Sequence, residues 1–321
     1  MAARRTRVQT ISAVGARLMR DTEKIVFATS VLGASHIREN KPCQDYSIAW
    51  QSEDSGAVVL IVCDGHGSDT YVRSNVGSRL AAEITLAAVK EFVPYEGRIP
   101  DPEWILGLQG KVKAHEEVGF GKGEGKVFEA LFETIYRRWL EAIEEDSRNN
   151  PFSEEEQERL GGKKLAKAYG TTLMAYVQTR DYWFAFQIGD GRMLAADENL
   201  QWKQLVPWDE NCFLNQTTSL CNTHPLPMFR YAFDGTGSFP AAVFCCSDGI
   251  EDSWGDYEVA PHQLHDYFSA LAKYFIKEGK DSTLDRLSEF LPKLSAAASK
   301  DDMSLAGYIN KDAIRLEGKL Q

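Results

Sequence analysis

Several short apolar runs of this chain end or begin on carboxylates. Asp64 closes one in IVCDGHGSDT, Asp190 closes another in YWFAFQIGD, and Asp248 ends a third in AAVFCCSDG. Asp301 and Asp302 stand just before a fourth in SKDDMSLAGYI. Carboxylates gathered in a folded chain repel one another unless a proton or a cation intervenes. A donor set made only of oxygen suits Mg²⁺ or Mn²⁺, hard ions that keep several of their waters. Zinc would call for Cys or His at short spacing, and no such cluster occurs. Taken singly, each aspartate has an ordinary explanation, because strand-to-turn junctions favour Asp and Gly. The combination is more informative. In an antiparallel arrangement the end of one strand lies beside the start of its neighbour, so Asp64, Asp248 and Asp301 are expected on one rim. Gly65 and Gly67 let the backbone approach a ligand closely. His66 between them is a ligand, a proton donor or a turn residue.

These acids need rigid elements to position them. Apolar runs rich in β-branched, aromatic or small residues predict strands over Val26–Leu32, Val58–Asp64, Thr171–Thr179, Tyr182–Asp190, Ala241–Gly249 and Ser304–Ile309. Arg180 and Asp181 join two of them at hairpin length. Helices are predicted over Asn75–Phe92, through Phe128, Leu131, Phe132, Ile135, Trp139 and Ile143 at helical spacing, over His262–Ile276, and over Ser282–Ala298 with Pro292 interrupting. The acidic, then Gly-rich stretch Asn149–Gly162 reads as a loop. Trp208–Gly237 reads as a long irregular connection of the kind that serves as a lid or flap. The order of elements points to a mostly antiparallel sheet system covered by helices.

The 321 residues carry a net charge of -11, with 43% hydrophobic residues, enough for a substantial core. An acidic chain repels nucleic-acid backbones and anionic membranes, so neither is an expected partner. The six cysteines form no CxxC pair, and Cys63, Cys245 and Cys246 lie inside apolar runs, as reduced core thiols of a cytoplasmic protein do. The Cys-x5-Arg pattern of a thiol nucleophile is absent. The start, MAARRTRVQTISAVGARLMR, is basic and lacks a signal-peptide core. Residues 1–21 are expected to be a basic arm, flexible or partly helical, or a transit segment. A single domain over 22–312 and a tail over 313–321 complete the expected organisation.

Six motifs in order resemble the metal-dependent serine/threonine protein phosphatases of type 2C, in a bacterial branch. They are PCQDY (Pro42–Tyr46), VCDGHG (Val62–Gly67), GTTL (Gly170–Leu173), IGDGRMLAAD (Ile188–Asp197), CSDGIED (Cys246–Asp252) and KDDMSL (Lys300–Leu305), and with their flanks they span Val26 to Ile309. The resemblance implies an α+β fold, a four-layer α-β-β-α sandwich of two mainly antiparallel sheets flanked by helices. It implies two Mg²⁺ or Mn²⁺ ions, with Asp64 bridging them, Gly65 offering its carbonyl, and Asp248 and Asp301 on the second ion. Asp45, Gln44 and Asp302 fall in the surrounding layer, and His66 matches the family's general acid. The implied activity is hydrolysis of phosphoserine and phosphothreonine in proteins by an activated water. The implied partner is a phosphorylated protein, among them a serine/threonine kinase or its targets.

The sequence also departs from the family. Gln44 stands where an acid usually precedes Asp45, and Asn40 stands where a phosphate-binding Arg is common, leaving Arg38 as the nearest substitute. Lys167, Ala168 and Tyr169 precede GTT, where an acid for a third ion is usual, and Asp302 replaces a frequent Asn. Two other readings stay open at this point: a two-metal hydrolase of small phosphate esters or nucleotides, and a catalytically weak sensor or binding module.

Overall fold

The computed structural model describes residues 23–53, 56–93, 126–212 and 216–315. The expected arm over 1–21 and most of the tail over 313–321 lie outside the described residues. The described strands pair only antiparallel, in two five-stranded sheets. In spatial order the first holds β1 (Lys24–Val31), β10 (Met303–Asn310), β9 (Ala242–Cys246), β6 (Arg192–Ala196) and β7 (Trp202–Gln204). The second holds β2 (Tyr46–Gln51), β3 (Val58–Cys63), β4 (Leu173–Gln178), β5 (Trp183–Ile188) and β8 (Arg230–Asp234).

Side chains alternate faces along a strand, and here both faces are buried. In β3, Val58, Leu60 and Val62 enter the layer between the sheets, where they meet Met174, Tyr176, Val243, Cys245 and Tyr308. Val59, Ile61 and Cys63 point the other way, into a second core with α2 (Ser74–Phe92) and α3 (Lys126–Asn149). On the far side Phe244, Cys246, Leu305 and Ile309 pack under α7 (Pro261–Glu278) and α8 (Lys280–Ala297). That double burial is why these strands read as continuous apolar runs rather than as alternating ones. The result is the expected α+β four-layer sandwich. Each fully buried Phe or Leu side chain contributes about 1.5–3 kcal/mol to it.

The helical stripe from Phe128 to Ile143 is buried as its spacing predicts. Two predicted loops contain structure. Within 149–162 lies α4 (Glu154–Leu160), because Ser153 and Glu156 form a reciprocal capping box and Gly161 closes the helix in the left-handed region. The three glutamates of its first turn favour the helix N-terminus, so the acidic run is a helix rather than a linker. Within 208–237 lies β8, whose Tyr231 and Phe233 join the helix-side core while Ala232 faces the other sheet. β2, β6 and β7 were also not anticipated. Pro292 does not break α8. The N–H it lacks would have met Ser288, on the exposed face, while Leu287 and Leu291 stay packed on the first sheet.

α4 is pinned to the start of α2 by Arg73, which is buried. Its guanidinium binds Glu156 at 2.9 Å, Asp146 at 3.4 Å and the carbonyl of Asn150 at 2.6 Å, and lies 3.9 Å from the centre of the Phe152 ring. Among the described residues no helix is long and apolar enough to cross a membrane.

Candidate metal centre

Strand register brings the acids to one end of the sandwich. Tyr46 pairs with Cys63 and Leu173 with Ile188, so Asp45, Asp64 and Asp190 all flank the same end of the second sheet. Arg192 and Leu305 both pair with Cys246, which sets the β9 exit and the β10 entry side by side. Asp248 is the first residue of α6 (Asp248–Glu251), just after β9, and Asp301 lies in the turn before β10. Gly249 is required here: a Cβ on it would stand 2.0 Å from the carbonyl oxygen of Asp302.

The stretch from Asp64 to His66 is held by the GTT segment. Asp64 N–H donates to Thr172 Oγ1 at 3.0 Å, Thr172 N–H donates to the Asp64 carbonyl at 2.8 Å, and His66 N–H donates to the Gly170 carbonyl at 3.1 Å. Gly65 and Thr171 continue the pairing as an isolated bridge. A side chain at Gly170 would collide with Tyr71 at 2.5 Å and with His66 at 2.7 Å, so only glycine lets those two rings sit against β4's entry. The rings lie 4.6 Å apart between centres.

Asp64 and Asp248 come within hydrogen-bonding reach of one another, and a bond between two carboxyls requires a proton. Burial, then Asp248 and Asp45, raises Asp64 well above the usual carboxylate range. Asp248 is pushed up to about 7 by burial and then by Asp190, with Asp301 and Asp252 adding to the effect. Asp45 is raised by burial and by Asp302, and its Oδ2 is buried without a hydrogen-bond partner. Asp301 keeps exposed surface, but the protein packed around its carboxyl, and then the charge of Asp302, raise it too. Gln44 is buried, and its Oε1 likewise has no partner.

Among the described residues no three His, Cys, Asp or Glu side chains converge as a ready-made ligand group. The pair Asp64–Asp248 is in direct contact, and Asp45, Asp190 and Asp301 act on it through their charge. The donor chemistry nevertheless fits hard divalent cations: all the donors are oxygen, the carboxylates repel one another, and Asp45 offers an orphaned buried oxygen.

Asp302 behaves differently from its neighbour. Burial pushes its carboxyl up, but His36, Gln44 N–H and Gly33 N–H pull it below the usual value. The two backbone donors lie at 2.6 Å each, and His36 Nδ1 lies 2.9 Å from Oδ2. Asp302 thereby ties α1 (Ala34–Glu39) and the Gln44–Asp45 segment to the β10 entry. Arg38 sits on the last turn of α1, exposed and without an ion pair among the described residues.

Sequence reasoning noted Asp190 as a strand-end acid without giving it a place in the site. Its charge is the second cause, after burial, of the raised Asp248 carboxyl. Thr217, for which the sequence held no signal, hydrogen-bonds Asp190. Thr218 Oγ1 accepts from Gly189 N–H at 3.0 Å and donates to Asp209 at 2.8 Å. Arg230 donates to the carbonyls of Gly189, at 2.6 Å, and Pro207. These bonds fasten the connection between β7 and β8 to the acid-bearing turn. Between that connection and the His66–Tyr71 loop lies a cleft of about 550 Å³, lined by His66, Tyr71, Asn211, Thr217, Asn222 and Met228 among others.

A sandwich whose sheets end in half-buried carboxylates beside a cleft lined by a histidine is the frame of a metal-assisted hydrolase. The family model for protein phosphatase 2C matches residues 32–292, and the chain belongs to that family of metal-dependent serine/threonine phosphatases. No curated protein matches the sequence. Solved structures share the fold at low identity. Stp1, a serine/threonine phosphatase from Staphylococcus aureus, is 13% identical with a TM-score of 0.52, over 93% of this chain and 99% of that one. PppA, a regulatory component of the T6SS in Pseudomonas aeruginosa, is 13% identical with a TM-score of 0.53, over 89% and 97%. The PstP/Ppp phosphatase of Mycobacterium tuberculosis is 14% identical with a TM-score of 0.50, over 89% and 98%.

Proposed function

We propose that this chain removes phosphate from phosphoserine and phosphothreonine in proteins, at a two-cation centre within a single domain over 22–312. The observation that carries the reading is the set of mutually repelling carboxylates, most of them half-buried or buried, at the sheet ends beside His66 in a chain of the protein phosphatase 2C family. Asp64, the Gly65 carbonyl, Asp248 and Asp301 would hold two Mg²⁺ or Mn²⁺ ions, with Asp45, Gln44 and Asp302 fixing the surrounding backbone and water. Bound there, the ions supply positive charge to the phosphoryl oxygens and lower the pKa of a water. His66 gives a proton to the departing serine or threonine oxygen. Arg38 reaches the phosphoryl group from α1 with its forked donors. The substrate is a phosphoprotein in a cytoplasmic signalling circuit, among them a kinase or its targets.

Hydrolysis of a phosphoserine peptide by the purified chain is expected to require added Mn²⁺ or Mg²⁺ and to stop with a chelator. Full turnover after exhaustive chelation would sink the reading. The role of Arg38 has its own test. Arg38→Ala is expected to raise KM for a phosphopeptide several-fold, in the range of a lost charge-assisted hydrogen bond, with kcat less affected. An unchanged KM would leave phosphate binding to the cations alone. Arg73→Ala is unsuitable as a control, because it removes the clamp between α2 and α4.

A further inference from the structure

The cleft beside His66 has a neutral polar lining, yet its His66–Tyr71 bank is flanked by lysines. Lys167 bridges the two banks: its Nζ lies 5.7 Å from the centre of the Tyr71 ring and 3.6 Å from Cys221 Sγ, next to the cleft residue Asn222. Lys163 Nζ donates to Thr70 Oγ1 at 2.9 Å, immediately before Tyr71. Lys41 stands at the other end of the bank, 3.5 Å from the Gly67 carbonyl. Lys41 is balanced by Glu39 at 2.8 Å, with Asp69 at 4.0 Å. Lys163 and Lys167 have no carboxylate partner among the described residues. Their contacts are a hydroxyl, a thiol and a ring face, all weak partners for an ammonium. Two cations without a carboxylate partner, packed behind the residues that line this cleft, are notable in a chain of net charge -11.

We propose that Lys163 and Lys167 form a cationic station that receives an anionic group flanking the phosphorylated residue, either an acidic side chain or a second phosphate. This deepens the phosphatase reading and rests on it. A serine phosphate seated at the carboxylate end places its peptide along the cleft, between the His66–Tyr71 bank and the Asn211–Asn222 bank. A neighbouring anion then meets donors that lack strong acceptors, and charge-assisted hydrogen bonds form. The half-buried Lys167 is screened less than a free surface lysine, so it dominates the selection.

The test uses the full chain with Mn²⁺ and four peptides that share one phosphoserine. Their flanking position carries Glu, a second phosphoserine, Gln or Lys, on either side of the target. Opposite charges at exposed sites are each worth a few-fold. The ratio of kcat/KM for the anionic-flank over the Lys-flank peptide is therefore expected to be about tenfold or more in the unaltered protein. It should shrink as salt rises. In Lys163→Glu/Lys167→Glu the ratio should invert. The exposed single change Lys163→Glu should lower it by itself. A ratio does not depend on how much of a variant is folded, so a destabilised variant still reports. Preference for Glu or for the second phosphate identifies the source of the anion. Equal rates on all peptides, or a ratio unmoved in the double variant, overturn the station and leave the phosphatase reading standing. No turnover of any peptide or of nitrophenyl phosphate removes both.

Discussion

Asp248→Asn is expected to weaken Mn²⁺ binding by at least about 100-fold, the upper end of what residues merely surrounding a metal ligand cost when lost. The substitution keeps the shape of the first residue of α6 and removes one negative charge from the cluster. Its effect without cations runs the other way. Burial and Asp190 push the Asp248 carboxyl up to about 7. Between the ordinary carboxylate value and 7 the folded chain therefore holds a proton that the unfolded chain does not. That contribution to stability is fully present below about pH 4 and is lost as pH rises through 7. The cation-free protein should accordingly lose Tm between pH 5 and 8, and Asp248→Asn should lose less. Added Mn²⁺ should restore the unaltered protein at pH 8 and hardly move the variant. Calorimetric titration and thermal melts at several pH values measure both halves. Unchanged affinity together with an unchanged pH profile would remove Asp248 from the centre.

His66→Ala is expected to lower kcat by about 10²–10⁴-fold on a phosphoserine peptide, the range for a positioned proton donor, and far less on nitrophenyl phosphate. A serine alkoxide is a very basic leaving group and needs a proton, whereas a nitrophenolate scarcely does. The environment sharpens the expectation. Burial, assisted by the charge of Lys167, lowers the His66 pKa to about 4, so the free protein carries a neutral imidazole near pH 7. A bound phosphate dianion opposes both effects and favours the protonated form. The kcat/KM profile, which reports the free protein, should therefore show no His66 limb between pH 5 and 8. Equal losses on both substrates would take the acid role away from His66. Rescue of both losses by excess Mn²⁺ would make it a support for the cations.

Much of this was legible in local sequence. An apolar run that stops on Asp-Gly encodes both a strand and an acid at its end, because both depend on consecutive residues. The stripe from Phe128 to Ile143 encodes a helix for the same reason. The short strands β6, β7 and β8 were not legible, since three to five residues carry too little pattern; β6 and β8 exist through pairing with β9 and β5, distant in the chain, and β7 only by pairing back onto β6. The helix α4 was written plainly in its capping box, hidden only by the acidic composition of the run.

The residue types of the site were set by sequence alone, and their relations were decided by tertiary structure. Register in the first sheet, where Arg192 pairs with Cys246, places Asp190 near Asp248, and only the packing of one sheet on the other brings Asp64 to Asp248. Whether Arg73 is free or buried in a clamp depends on a helix some 80 residues further on. The same holds for His66, whose pKa reflects its burial and a lysine about a hundred residues away. A carboxyl or imidazole takes its charge state from everything packed around it, and that sum is fixed only when distant segments come together.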